Sequence, residues 1–250
     1  MRHGRACNRF KYRFVVFFFG LAGAGGCISW AADLPDLKAV SADGRWTLVA
    51  SNSERTLTLR DADQNLLRSY TMATLDGKTV SAAAALLVAP LRQSFVVALS
   101  DIAELWEISL NPEARPIFDG LVHDYKMGEA IATPGFLGIR RTPLEQPFES
   151  AFVDVHSNQV LGVLPRQAQE TCTKLQVINL DIRRRIATFT LGGTPQLESS
   201  TRLVFKGGLI LSVPDRVNGE SNWVDMKTWT VLKNSVSPTS GAAPTVACTP

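Results

Sequence analysis

The residues of this chain best suited to chemistry lie close together: His123, Asp124, Tyr125 and Lys126, then Arg140 and Arg141. An imidazole beside a carboxylate can ligate a metal ion or move a proton near neutral pH. Two neighbouring guanidinium groups can fork onto the carboxylates of an acidic ligand. Tyr125 and Met127 could pack on a flat ligand face. Each residue also has a plainer reading. His123 could bond only to backbone, Arg140 and Arg141 could be solvated or bridged to Glu145, and Tyr125 and Met127 could anchor a loop. His156, before Ser157-Asn158, reads as an exposed turn residue, and Arg183-Arg184-Arg185 as a solvated run.

Other site chemistries are missing. The sequence holds no Gly-x-Ser-x-Gly, no phosphate-cradling glycine loop and no His-Glu-x-x-His. It has no Cys-x-x-Cys-His and no clustered His/Cys set for zinc.

The elements that position these residues are strands. Ser94–Leu99 and the phrase from Trp106 to Leu110 precede the polar stretch, so a β scaffold presents a loop running to Arg141. Upstream, Leu37–Val40, Trp46–Ser51, Thr56–Arg60 and Leu66–Thr71 are short apolar strands split by Asp/Gly/Asn turns, which predicts an antiparallel meander. The strand–turn–strand phrase at 57–70 recurs at 106–120, 175–189 and 222–235. Its turn markers Asp61, Asn111, Asp181 and Asp225 are 50, 70 and 44 residues apart, the long interval holding the 121–147 insertion. A repeat near 45 residues with four strands each is β-propeller spacing. The fold class is therefore all-β, with about four four-stranded blades over 33–235. No segment sustains a 3.6-residue apolar period, so little helix is expected. Trp46, Trp106, Trp223 and Trp229 read as inter-blade core.

Composition is that of a globular protein, 45% hydrophobic and 20% charged. Residues 1–31 hold five basic residues and no acid, then an apolar run at Phe14–Gly25 and Ser29-Trp30-Ala31. This pattern predicts a cleaved export signal and a periplasmic protein, with a lipid anchor at Cys27 as the alternative. The apolar run is too short to span a bilayer. Without those 31 residues the formal charge of +3 becomes −2, which excludes a nucleic-acid partner. Cys172 and Cys248 then remain, as a disulfide or as two thiols. Residues 236–250, rich in Ser, Pro, Ala and Thr, read as a disordered tail.

Five phrases carry a family resemblance: VSADGRWTLVASN (40–52), RQSFVVALSDIAELWEISL (92–110), GLVHDYKMGEA (120–130), RRTPLEQPF (140–148) and QVINLDIRRRIATFTLGGTP (176–195). In these the chain resembles the haem-d1 domain of the cytochrome-type nitrite reductases and related periplasmic propellers. The resemblance implies four blades of an eight-bladed pattern, and haem d1 or another tetrapyrrole as cofactor. It makes His123 the candidate iron ligand, with Asp124, Tyr125, Arg140 and Arg141 around the ligand. In the family a histidine follows the TP of the GGTP phrase; here Gln196 stands there, and residues 33–122 hold no histidine. A binding or haem-d1-associated accessory or electron-transfer role is thus expected rather than nitrite reduction. The alternative is a non-enzymatic propeller scaffold that contacts periplasmic proteins. Half a ring also leaves blade faces open to self-association.

Overall fold

Alternating apolar and polar residues between Asp, Asn and Gly turns make antiparallel hairpins, and four such meanders build the fold. The computed structural model describes residues 34–118, 132–167, 170–217 and 219–232. Met1–Ala32 and Asp33–Pro250 separate as two units. The first, with the export signal read from the sequence, lies outside the described residues, as does the 236–250 tail.

The first blade pairs β1 (Leu37–Val40), β2 (Trp46–Ser51), β3 (Thr56–Asp61) and β4 (Leu66–Thr71) in chain order. The second pairs β5 (Ala83–Ala89), β6 (Ser94–Leu99) and β7 (Glu104–Ser109). A small hairpin, β8 (Ile117–Phe118) with β9 (Ala132–Thr133), intervenes before β10 (Ile139–Pro143) completes that blade beside β7. The third blade is β11 (Ser150–Val153), β12 (Gln159–Val163), β13 (Cys172–Asn179) and β14 (Arg184–Gly192). The fourth is β15 (Thr201–Phe205), β16 (Gly208–Pro214), β17 (Ser221–Asp225) and β18 (Thr230–Leu232). Every ladder is antiparallel. Helix among the described residues is limited to 3-10 turns at Pro90–Arg92 and Leu197–Ser199.

Local chemistry sets the turns. Asp43 accepts the Ser41 hydroxyl at 2.6 Å and the Arg45 guanidinium at 2.6 Å, closing the β1–β2 turn. Those two bonds pull the Asp43 carboxyl down to about 2. The β15–β16 turn is Lys206-Gly207, both at positive φ, as in a primed hairpin turn.

Period-two alternation gives each inner blade two apolar faces. One cluster joins the first and second blades through Leu48, Leu57, Leu59, Phe95, Trp106 and Ile108, all fully buried. A second joins the second and third through Val96, Leu105, Phe148 and Val160. A third joins the third and fourth through Leu175, Val177, Leu211, Val224 and Trp229. Of the tryptophans expected in inter-blade core, Trp106 and Trp229 are buried there and Trp46 borders the first cluster. Trp223 differs: it packs edge-to-face on Phe205 at 5.2 Å, within its own blade. Buried polar ties add direction. Asn52 accepts the Ala83 N–H at 2.7 Å and donates to the Ala83 carbonyl at 3.1 Å, pinning the first blade to β5.

Candidate functional site

In a four-stranded meander the first and third connections leave the same end of the sheet. The described limbs of the second blade's third connection, 110–118 and 132–138, therefore sit at the end that carries Pro90–Gln93 and the third blade's 180–183 turn. Two glycines allow the limbs of this insertion to meet. A Cβ at Gly135 would collide with the Arg115 carbonyl, and one at Gly138 with the Pro134 carbonyl and the Ile117 side chain. The returning limb also reaches the first blade. Phe136 meets Trp46 edge-on at 6.2 Å, and the Tyr70 hydroxyl donates to the Leu137 carbonyl at 2.8 Å. Burial raises the Tyr70 phenol to about 12, which keeps it a neutral donor.

His123, Asp124 and Tyr125, three of the five residues expected to hold a cofactor, lie outside the described residues, as do Lys126 and Met127. Arg140 and Arg141 are described, and they lie on β10 rather than in the loop the sequence suggested. Successive strand residues point to opposite faces, so the two do not form one double fork. Arg140 pairs in register with Glu107, and its Nη2 donates to the Arg115 carbonyl at 2.9 Å. Arg141 pairs with Trp106 and lays its guanidinium over that indole at 4.4 Å. Its Nη1 donates to Glu104 at 2.8 Å and to the Ala73 carbonyl at 2.9 Å, while Glu104 also takes the Trp106 Nε1–H at 2.7 Å. Arg141 is thus a clamp between the first two blades. The bridge to Glu145 that the plainer reading allowed does not form; Glu145 takes Arg185 and Gln176 instead.

Beside Arg140 a cleft of about 340 Å³ opens between the second and third blades. Arg92, Arg115, Arg140 and Arg183 line it, with Ile117, Phe118 and Asp181. Arg92 is engaged by two carboxylates. It forks onto Glu107 at 2.6 and 3.1 Å and reaches Asp181 of the third blade. Burial alone would lower the Arg92 pKa; the bonds to Glu107 and Asp181 outweigh it and raise the value. Ser94 donates to the same buried Glu107 at 2.9 Å. Asp181 also accepts from Asn158, and the Arg92 bond, foremost, holds its carboxyl below the usual range.

Arg115 lies in none of the family phrases, and Arg92 and Arg183, though inside two of them, carried no sign of a shared cleft. Arg183 belonged to a run read as solvated, and Asp181 was legible only as a turn marker. His156 is exposed in the β11–β12 turn, as its sequence context suggested. Gln196, at the histidine position of the family phrase, donates its backbone N–H to the Pro214 carbonyl at 2.8 Å. Among the described residues no group of three or more His, Cys, Asp or Glu is arranged to hold a metal.

Four successive four-stranded antiparallel blades define part of a β-propeller, and comparison with known proteins gives its kind, that of the haem-d1-domain-like propellers. No protein-family model matches the chain. Over 204 residues it is 30% identical to the dihydro-heme d1 dehydrogenase of Pseudomonas aeruginosa, a match covering 81% of this chain and 36% of that protein. The solved structure of dihydro-heme d1 dehydrogenase NirN in complex with DHE superposes with a TM-score of 0.61 at 30% identity, over 78% of this chain and 36% of that one. The chain therefore spans little more than a third of the length of the curated relative it matches.

Proposed function

We propose that this chain is an exported accessory propeller that binds a tetrapyrrole of the haem-d1 type. The observation that carries the reading is the 30% identity, over most of the chain, to a dehydrogenase named for dihydro-heme d1. The local chemistry accords with it. Arg140 sits at a cleft mouth with guanidinium N–H groups left over for a ligand carboxylate. His123 is proposed as the iron ligand, with Asp124 and Tyr125 beside it. When bound, the group would supply the iron and the conjugated ring; this chain's part is to hold and orient it. Arg141 is withdrawn from direct ligand contact by its three partners.

Titration of the mature protein with ferric haem-type ligands, followed by visible absorption, tests this. Wild type should show an iron-dependent band that His123→Ala abolishes or shifts. Identical spectra for the two proteins, or no binding by either, would leave the scaffold reading standing. One observation favours that second reading: the fourth blade exposes Leu203, Val204, Phe205 and Leu209, a surface suited to protein contact.

Export is part of the proposal. Cys172 is disulfide-bonded, with the other three cysteines outside the described residues, and disulfides persist in oxidising compartments. No helix among the described residues is long and apolar enough to cross a membrane. N-terminal sequencing of the exported protein should begin just after Ala31. A chain still starting at Met1 would refute export, and a lipid-modified Cys27 would establish the anchor alternative.

A further inference from the structure

We propose that the cleft between the second and third blades binds a small amphipathic dianion, an apolar body carrying two acidic groups, through Arg115, Arg140 and Arg183. The proposal shares Arg140 and its cleft with the tetrapyrrole reading but needs neither iron nor His123.

Charge is the first argument. The cleft is lined by four arginines and one carboxylate. That carboxylate, Asp181, is already taken by Arg92 and Asn158, and Arg92 is itself paired with Glu107 as well. Arg115, Arg140 and Arg183 are left with no acidic side-chain partner among the described residues. Three like charges around one concavity repel each other, and a doubly charged anion relieves that repulsion.

Geometry is the second argument. The three side chains come from separate elements: the insertion, β10 and the third blade's outer turn. Arg140 is held by its bond to the Arg115 carbonyl, and the Arg92–Asp181 tie fixes the two blades on either side. The arginines are thus gathered by the fold rather than scattered over the surface. Each guanidinium presents a planar set of donors that matches a carboxylate.

The wall supplies the apolar half. Ile117 is 3% exposed and forms a floor, whereas Phe118 beside it is 62% exposed. An aromatic ring left open next to unpartnered guanidinium groups suits a ligand with a flat apolar body. A tetrapyrrole edge bearing two propionates and a smaller aromatic dicarboxylate share this chemistry.

Isothermal titration of the full chain with naphthalene-2,6-dicarboxylate tests the site, with 2-naphthoate, coproporphyrin and inorganic phosphate as parallel probes. The dicarboxylate should bind at least about tenfold more tightly than the monoanion, since a second fork is engaged. Arg115→Ala with Arg183→Ala should weaken it by a further factor of about ten or more. Phe118→Ser should weaken the dicarboxylate but not phosphate. Competition between coproporphyrin and the dicarboxylate would assign the site to a tetrapyrrole edge; binding of the dicarboxylate alone would assign it to a smaller acid. Both replaced arginines are exposed, so an unchanged far-ultraviolet spectrum should accompany the loss. Equal affinity in wild type and double variant overturns the proposal, as does no dicarboxylate binding by wild type. Phosphate binding as tightly as the dicarboxylate overturns the apolar half. A failed haem titration with intact dicarboxylate binding would count against the tetrapyrrole reading alone.

Discussion

Arg140 and Arg141 are adjacent and chemically identical, yet their environments differ. Arg141 is clamped by Glu104, the Ala73 carbonyl and the Trp106 face, with 15% of its side chain exposed. Removing it leaves Glu104 half-desolvated and strips the cation from a buried indole. Arg141→Ala should therefore cost about 2–4 kcal/mol, read from urea unfolding. Arg140→Ala should stay within about 0.5 kcal/mol, because it gives up one bond to a carbonyl. Equal losses would show that the clamp has no energetic role. Asp181 allows a second test at this scale. Its folded pKa is lowered, first by Arg92, so its contribution is present above the unfolded carboxylate value of about 3.9 and is lost as pH falls through the folded value. Thermal midpoints measured from about pH 6 down to about pH 2 should fall less steeply for Asp181→Asn than for wild type. Parallel curves would mean that the Arg92 tie does not bear on folding.

At the scale of elements, Gly193 and Gly135 mark close approaches where only glycine serves. Gly193, in the GGTP phrase, has φ +73°, and a Cβ there would run into the Asp215 carboxylate. That carboxylate accepts the Thr194 and Val217 N–H groups at 2.8 and 2.7 Å, so it cannot swing away freely. Gly193→Ala combines left-handed strain with a clash and should cost about 2–4 kcal/mol; a melting temperature within a degree or so of wild type would contradict this. Gly135 works differently. Its substitution meets backbone of the insertion itself, so Gly135→Ala should disturb the cleft and weaken dicarboxylate binding while the blades stay folded.

For the whole molecule, the three inter-blade clusters join consecutive blades, and among the described residues none joins the fourth to the first. The fourth blade keeps Leu203 at 39%, Phe205 at 40% and Val204 at 76% exposure, and the first keeps Val40 at 46%. Apolar blade faces of this kind favour association. The hypothesis is that the mature chain self-associates at micromolar concentration in sedimentation equilibrium, and that Phe205→Asp shifts it toward monomer. A stable, high-melting wild-type monomer would contradict it.

The four meanders were legible in the sequence because their causes are local. Period-two alternation and Asp/Gly/Asn turns act within a few residues, so strands such as Trp46–Ser51, Leu66–Thr71 and Ser94–Leu99 were found with their observed bounds. The insertion was legible as an over-long repeat interval, and Gly193 as part of the 176–195 phrase that Gln196 follows. The site was not. Which face Arg140 or Arg141 occupies depends on the register of β10 against β7, which pairs them with Glu107 and Trp106 across an intervening hairpin. That Arg115 and Arg183 share a cleft depends on how the second blade packs on the third, through Phe148, Val160 and the Arg92–Asp181 tie. Sequence alone determined the strands and their order, because backbone and turn preferences are short-ranged. Tertiary structure decided which charges are neutralised and which remain for a ligand, because that depends on partners distant in the chain.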